Sequence, residues 1–278
     1  MAPNPAYPIF SCQRICQFVL SIHARRGSVV DAMNDAPLLG HGAVRVWYRL
    51  TEAIGEAETS QLIASLPASE RERCLRHRFS RDQRDFAAAH ALLRTALSRY
   101  GDATSLEWCF EVNAYGKPAI ATAHGTDLTF NLSHTHGFVA CAITRTAAIG
   151  IDVEPINRIA IGREIAAHYF SPTEIRALDT MSPELYQQRF IEVWTLKEAY
   201  IKAVGLGLSH ALDTFSFVVA SNDSIQFTPP PDVSADNWQF CLYRPVPGYR
   251  LALAVEHTTD NSAACAITLH EADRALLP

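Results

Sequence analysis

The chain has 278 residues, 48% of them hydrophobic and 19% charged, a composition that buries a core and excludes a disordered protein. Its net charge of −5 argues against a general nucleic-acid partner, because a phosphate backbone demands a basic footprint. No stretch approaches the roughly 18 uninterrupted apolar residues of a membrane span.

The length suits one large domain or two modest ones. The seven cysteines, at 12, 16, 74, 109, 141, 241 and 265, are odd in number and contain no C-x-x-C pair. Reduced thiols in a cytoplasmic protein are therefore expected. Residues 1–38 read as an N-terminal extension without a motif. Its apolar run from Ile9 to Ile22 is broken by Gln13, Arg14 and Gln17, and no basic residue precedes it, which fits neither a signal peptide nor an anchor. Met33 leaves a later start codon as an alternative.

The first element is a strand from Ala43 to Leu50, with Val44, Val46, Tyr48 and Leu50 on one face and Arg45 and Arg49 on the other, the pattern of a half-buried strand. A polar, arginine-rich stretch from Glu70 to Arg84 leads into a helix from about Asp82 to Tyr100, stopped by Gly101. Phe86, Ala89, Leu93, Ala96, Leu97 and Tyr100 form its apolar face. Strand-like runs follow at Leu106 to Val112, Leu128 to Ser133, Phe138 to Thr144 and Ala148 to Val153, with a turn at Asn113 to Gly116.

Ser171, Pro172 and Glu174 spell a capping box that starts a second-half helix. The longest helix begins after Ser182 at Pro183 and runs to about Val204, where Gly205 and Gly207 end it. Strands return at Phe215 to Ala220, Trp238 to Tyr243 and Tyr249 to Glu256, with a proline-rich loop at 229–231. Strands around one principal helix in each half predict an α+β fold of two similar α/β subdomains in pseudo-twofold arrangement, residues 39–146 and 147–270, with the active site in the cleft between them. No internal repeat proves the duplication.

Several blocks carry chemistry. In Gly150-Ile-Asp-Val-Glu154, alternation puts Asp152 and Glu154 on one face of a strand and Ile151 and Val153 on the core side. Paired carboxylates suit a hard cation such as Mg²⁺, which completes its shell with water and phosphate. An exposed strand end before Pro155 is the plain alternative. On the long helix Trp194, Glu198 and Lys202 share one stripe, so a third carboxylate is available. A surface Glu–Lys pair would not explain the tryptophan on that stripe.

Phe130-Asn-Leu-Ser-His-Thr-His-Gly137 ends a strand with Ser133 and His134, a hydroxyl and a ring N–H suited to phosphate oxygens. Adjacent strand residues face opposite sides, so the two are a poor nucleophile and base, and His136 reads as a loop residue. Lys117, in the turn Tyr115-Gly-Lys-Pro118, and Arg81 with Arg84 at the start of the first helix offer cations to phosphate. A solvated face interleaved with Glu70, Glu72, Asp82 and Asp85 accounts for the arginines equally well.

Taken together and in this order, the basic residue before the first helix, G-K-P, N-L-S-H, G-I-D-V-E and W-T-L-K-E-A-Y-I-K-x-x-G-x-G-L resemble the 4′-phosphopantetheinyl transferases of the larger, pseudo-dimeric, surfactin-synthetase-activating type. The resemblance covers roughly residues 40–255 and is most specific at 116–154 and 194–209. It implies transfer of phosphopantetheine from coenzyme A to a serine of an apo acyl, polyketide or peptidyl carrier protein, by a monomer. Asp152, Glu154 and Glu198 would hold Mg²⁺, with Mn²⁺ as a substitute. Glu198, Lys202 and Asp152 would be catalytic, and Arg81, Lys117, Ser133, His134, Lys197 and Lys202 would hold coenzyme A. Two departures stand out: His90 where the family often has an arginine, and the N-terminal extension. A different Mg²⁺ phosphotransferase lacks its G-x-x-x-x-G-K-[ST] loop here. A catalytically dead adaptor would not need all three carboxylates.

Overall fold

The computed structural model describes residues 39–145, 147–157, 163–207, 211–257 and 264–273. The N-terminal extension lies outside them, as does Leu208 at the end of the Gly-x-Gly-Leu motif.

The chain order is β1 (Ala43–Leu50), α1 (Glu56–Ser65), α2 (Ala68–Leu75), α3 (Ser80–Leu97), β2 (Phe110–Val112), β3 (Pro118–Ile120), β4 (Leu128–Thr135), β5 (Phe138–Arg145) and β6 (Ile149–Pro155). Then follow α4 (Arg163–Tyr169), α5 (Pro172–Asp179), α6 (Pro183–Val204), β7 (Ser216–Val219), β8 (Ile225–Thr228), β9 (Trp238–Tyr243), β10 (Tyr249–Glu256) and β11 (Ala266–Glu271). One sheet has the order β11-β1-β5-β4 and the other β6-β10-β9, with small hairpins β2-β3 and β7-β8.

The fold is α+β, as expected, and its layers follow from strand alternation. Val44, Val46, Phe138, Ala140 and Ala142 of the first sheet pack on Ile149, Ile151, Val153, Leu251 and Leu253 of the second. The opposite face of the first sheet, with Val139, Cys141 and Ile143, is covered by α3. The opposite face of the second, with Phe240, Ala252 and Ala254, is covered by α6. Each half thus holds its sheet inside and its principal helix outside, the arrangement that buries both faces of a sheet.

β1 is buried on both faces rather than half-buried: Arg45 and Arg49 are themselves buried, Arg49 pairing with Glu58 of α1 at 2.5 Å. The arginine-rich stretch is largely helical, lying in α2 and the first turn of α3 with residues 76–79 between them. It folds because Glu70 is buried under it and accepts Nε and Nη2 of Arg94 at 2.8 and 2.9 Å. The expected strand from Leu106 shortens to β2, because a turn in which the Thr104 N–H donates to Glu107 Oε2 at 2.7 Å occupies its first residues.

β11 pairs in parallel with β1, so residues 266–270, grouped by sequence with the second half, complete the sheet of the first. The two helix starts in the second half are as read: Ser171 and Glu174 close a capping box, and Ser182 caps α6. Gly205 ends α6 at φ 76°, where a side chain would be strained. No helix among the described residues is long and apolar enough to cross a membrane. The five cysteines among them, Cys74, Cys109, Cys141, Cys241 and Cys265, are free thiols.

Candidate active site

The site lies where β4, β6 and α6 meet. Ile151 and Val153 enter the inter-sheet core, which forces Asp152 and Glu154 to the α6 side. Gly150 lets α6 close on the strand: a Cβ there would sit 1.8 Å from the Ala199 carbonyl oxygen and 2.5 Å from the Ala203 nitrogen. That close approach brings the Trp194, Glu198, Lys202 stripe over the two carboxylates. Lys202 Nζ lies 2.6 Å from Asp152 Oδ1 and 3.0 Å from Ser133 Oγ. Ser133 Oγ also donates to Asp152 Oδ1 at 2.9 Å. Trp194 is buried with its Nε1–H donating to Glu154 Oε1 at 3.3 Å.

Asp152, Glu154 and Glu198 are all buried. Burial alone would pull the Lys202 ammonium down, but Asp152, Glu198 and Glu154 together raise its pKa above the ordinary lysine value. The three carboxylates therefore converge electrostatically on one cation. Asp152 Oδ2 is buried and accepts no hydrogen bond among the described residues. Such an orphaned oxygen is costly unless a cation or water serves it. No three acidic, histidine or cysteine side chains among the described residues already form a cage for a metal. The donor set is nevertheless all hard oxygen, and Mg²⁺ commonly takes only one or two carboxylates with water and phosphate.

Beside these groups opens a cavity of about 210 Å³ lined by Tyr115, Lys117, Asn131, Ile201, Lys202 and Gly207, among others. Asn131 was not singled out by sequence, although it stands inside the N-L-S-H block. Its Oδ1 accepts the Ile151 N–H at 2.8 Å and ties β4 to β6. His134, on the opposite face of β4 from Ser133, is exposed. Desolvation of the ring, then Lys202's charge, lowers its imidazole to about 4.

Of the residues expected to hold coenzyme A, Lys197 and Lys117 are engaged by protein groups and Arg81 lies on the surface. Lys197 is fully buried and points away from the cleft: its Nζ lies 2.9 Å from Glu174 Oε2 and donates to the carbonyls of Leu212 and Phe215 at 2.7 and 2.8 Å. It is a core tie between α6 and α5, displaced from the Lys202 stripe by helical geometry. Lys117 lines the cavity, but its Nζ donates to the Ala203 carbonyl at 2.9 Å and the Ile149 carbonyl at 3.3 Å. Burial lowers its pKa to about 8, against the opposing pull of Glu256. With Asn113 Nδ2 donating to the Gly205 carbonyl at 2.8 Å, it caps the C-terminal end of α6. Arg81 is exposed, 3.4 Å from Asp82 and 5.2 Å over the Phe79 ring. His90 stacks on Phe86 at 4.1 Å and sits 3.2 Å from Glu70.

These observations agree with comparisons to known proteins. A family model described as the 4′-phosphopantetheinyl transferase superfamily matches residues 148–254, and one described as 4′-phosphopantetheinyl transferase, N-terminal, matches residues 55–146. A 4′-phosphopantetheinyl transferase of Bacillus subtilis is 30% identical over 207 residues, covering 73% of this chain and 88% of the relative. The 4′-phosphopantetheinyl transferase Sfp of Bacillus subtilis strain 168 matches to the same extent. The 4′-phosphopantetheinyl transferase HetI of Nostoc sp. PCC 7120 is 33% identical over 155 residues, 55% of this chain and 65% of that protein. Among solved structures, the holo-[acyl-carrier-protein] synthase of Thermotoga maritima aligns over 40% of this chain and 63% of its own, at 25% identity and a TM-score of 0.32. With the carboxylates, the lysine and the close-packed glycine all falling within the matched stretch, the chain belongs to the 4′-phosphopantetheinyl transferase superfamily.

Proposed function

We propose that this enzyme moves the 4′-phosphopantetheine arm of coenzyme A onto a serine of an apo acyl, polyketide or peptidyl carrier protein, with Mg²⁺ or Mn²⁺ held by Asp152, Glu154 and Glu198. The observation that carries this reading is the buried cluster of Asp152, Ser133 and Lys202, with Asp152 Oδ2 left over, beside a cavity. The bound cation would neutralise charge on the pyrophosphate of coenzyme A.

The serine Oγ forms a bond to the phosphorus that carries pantetheine, and the bond from that phosphorus to 3′,5′-ADP breaks. Glu198 accepts the serine proton, a role suited to a buried carboxylate on the same helical stripe as Lys202. Lys202 balances the negative charge that develops on the leaving phosphate, and such preorganised charge is the main means of promoting phosphoryl transfer. Ser133 and Asp152 hold the Lys202 ammonium in place. His134 donates a ring N–H to a phosphate oxygen. Lys117 braces the pocket wall through the end of α6, and Arg81 takes the 3′-phosphate on the resemblance alone. A single chain supplies both walls of the cleft, so the working unit is a monomer.

Intact-mass spectrometry of apo carrier proteins incubated with the enzyme, coenzyme A and Mg²⁺ tests the reading. A phosphopantetheine-sized gain that EDTA and Asp152→Ala both abolish is the expected result. Binding of coenzyme A without any gain across several carrier types would replace the enzyme by an adaptor.

A further inference from the structure

Alternation along β4 puts Phe130, Leu132, His134 and His136 on the face turned to α3, and Phe130 and Leu132 pack into the core that α3 covers. Against the end of that face, in the second turn of α3, lies Asp85, only 4% exposed. The Thr51 hydroxyl donates to its Oδ1, and the Gly137 N–H donates to its Oδ2 at 3.4 Å. Arg84 Nε donates to Oδ1 at 3.4 Å, and His136 Nδ1 lies 3.7 Å from Oδ2. A buried carboxylate is tolerated only when donors serve it in this way.

These contacts converge on the turn between β4 and β5. The Thr51 N–H, just past the end of β1, donates to the Gly137 carbonyl at 2.9 Å. From β10 in the second half, the Tyr249 hydroxyl donates to the His136 carbonyl at 3.0 Å. Gly137 has a φ of 81°, and a Cβ on it would sit 2.7 Å from the Tyr249 hydroxyl oxygen, so the turn has little room to shift. His134 precedes this turn on the same face as His136. Desolvation and Lys202 lower its imidazole pKa while Asp85 opposes them, which puts the carboxylate within electrostatic reach of the ring.

We propose that Asp85 is a positioning residue for coenzyme A: with Thr51 it fixes the turn after β4, and so the direction in which His134 presents its ring to a phosphate. The inference rests on the proposed function, which gives His134 that phosphate. Calorimetry of coenzyme A binding to the full chain, with KM and kcat from the transfer assay, tests it. Asp85→Asn replaces one accepting oxygen by a donor, so Thr51 or Gly137 loses its partner. Thr51→Val removes the hydroxyl at nearly constant shape, and Thr51→Ser keeps it. Asp85→Asn and Thr51→Val are each expected to raise the coenzyme A Kd and KM about tenfold, the loss of one hydrogen bond to a charged group, at unchanged kcat. Thr51→Ser is expected to keep the wild-type values. In a His134→Ala background Asp85→Asn is expected to add no further loss, whereas a merely structural effect would add equally in both backgrounds. Thermal melts confirm folding, and the two Thr51 variants carry the test if Asp85→Asn does not fold. Wild-type affinity in both Asp85→Asn and Thr51→Val, or an equal loss with and without His134, overturns the inference alone. Wild-type affinity in His134→Ala, or no coenzyme A binding by the wild type, overturns the phosphate role of His134 and this inference with it, while the transfer assay still judges the enzyme.

Discussion

Gly150→Ala is the sharpest test of how the site is assembled. The added methyl meets the backbone of α6, not a side chain able to swing aside, with the Ala199 carbonyl oxygen at 1.8 Å. Restoring an ordinary contact means that the helix retreats by about 1.6 Å, since non-bonded atoms settle near 3.4–4 Å. The retreat opposes the anchors at the end of α6, Lys117 Nζ to the Ala203 carbonyl and Asn113 to the Gly205 carbonyl. It also stretches the 2.6 Å Lys202–Asp152 pair. Overpacking of this kind costs about 1–3 kcal/mol or more, and a displacement of about an ångström at reacting groups costs roughly 10²-fold in rate. Urea denaturation and the intact-mass assay measure the two effects separately. Gly55→Ala is the control, because nothing lies within 4 Å of its Cβ and its φ is −76°. A Gly150→Ala protein with wild-type stability and wild-type turnover would refute the close-approach argument.

Lys202→Met, which removes the ammonium beside Asp152, is expected to lower kcat about 10²–10³-fold, the usual loss of one preorganised charge partner, read in the same assay. Lys197→Met is expected to act on stability, by about 3–5 kcal/mol, because it strands the buried Glu174 carboxylate; in folded Lys197→Arg protein the KM for coenzyme A stays at the wild-type value, whereas a raised KM at unchanged stability would return Lys197 to the coenzyme site. Burial opposes ionisation of Glu70, but His90 and Arg94 outweigh it and lower its pKa from 4.5 to about 2. Its stabilisation is therefore complete above pH 4.5 and fades as pH falls toward 2, by about 3 kcal/mol in all. Acid titrations of wild type and Glu70→Gln should converge across that window, and parallel curves would remove Glu70 from the account.

Much of the site was legible in the sequence because its signals are local. Strand alternation placed Asp152 opposite Ile151, the i, i+4, i+8 spacing aligned Trp194 with Glu198 and Lys202, and the serine caps and Gly205 marked the ends of α5 and α6. Those rules depend only on neighbours a few residues apart. Lys197 shows where they end: the motif contains it, but its rotation about α6 turns its Nζ to Glu174 and away from the cleft. The tertiary structure alone decided that β11 returns to β1, that Asn131 bridges β4 to β6, that Lys117 caps α6, and that Glu192 meets Arg250. Each of these pairs joins positions far apart in the chain, and their meeting is set by how the sheets and helices pack, a property that no local pattern of residues encodes.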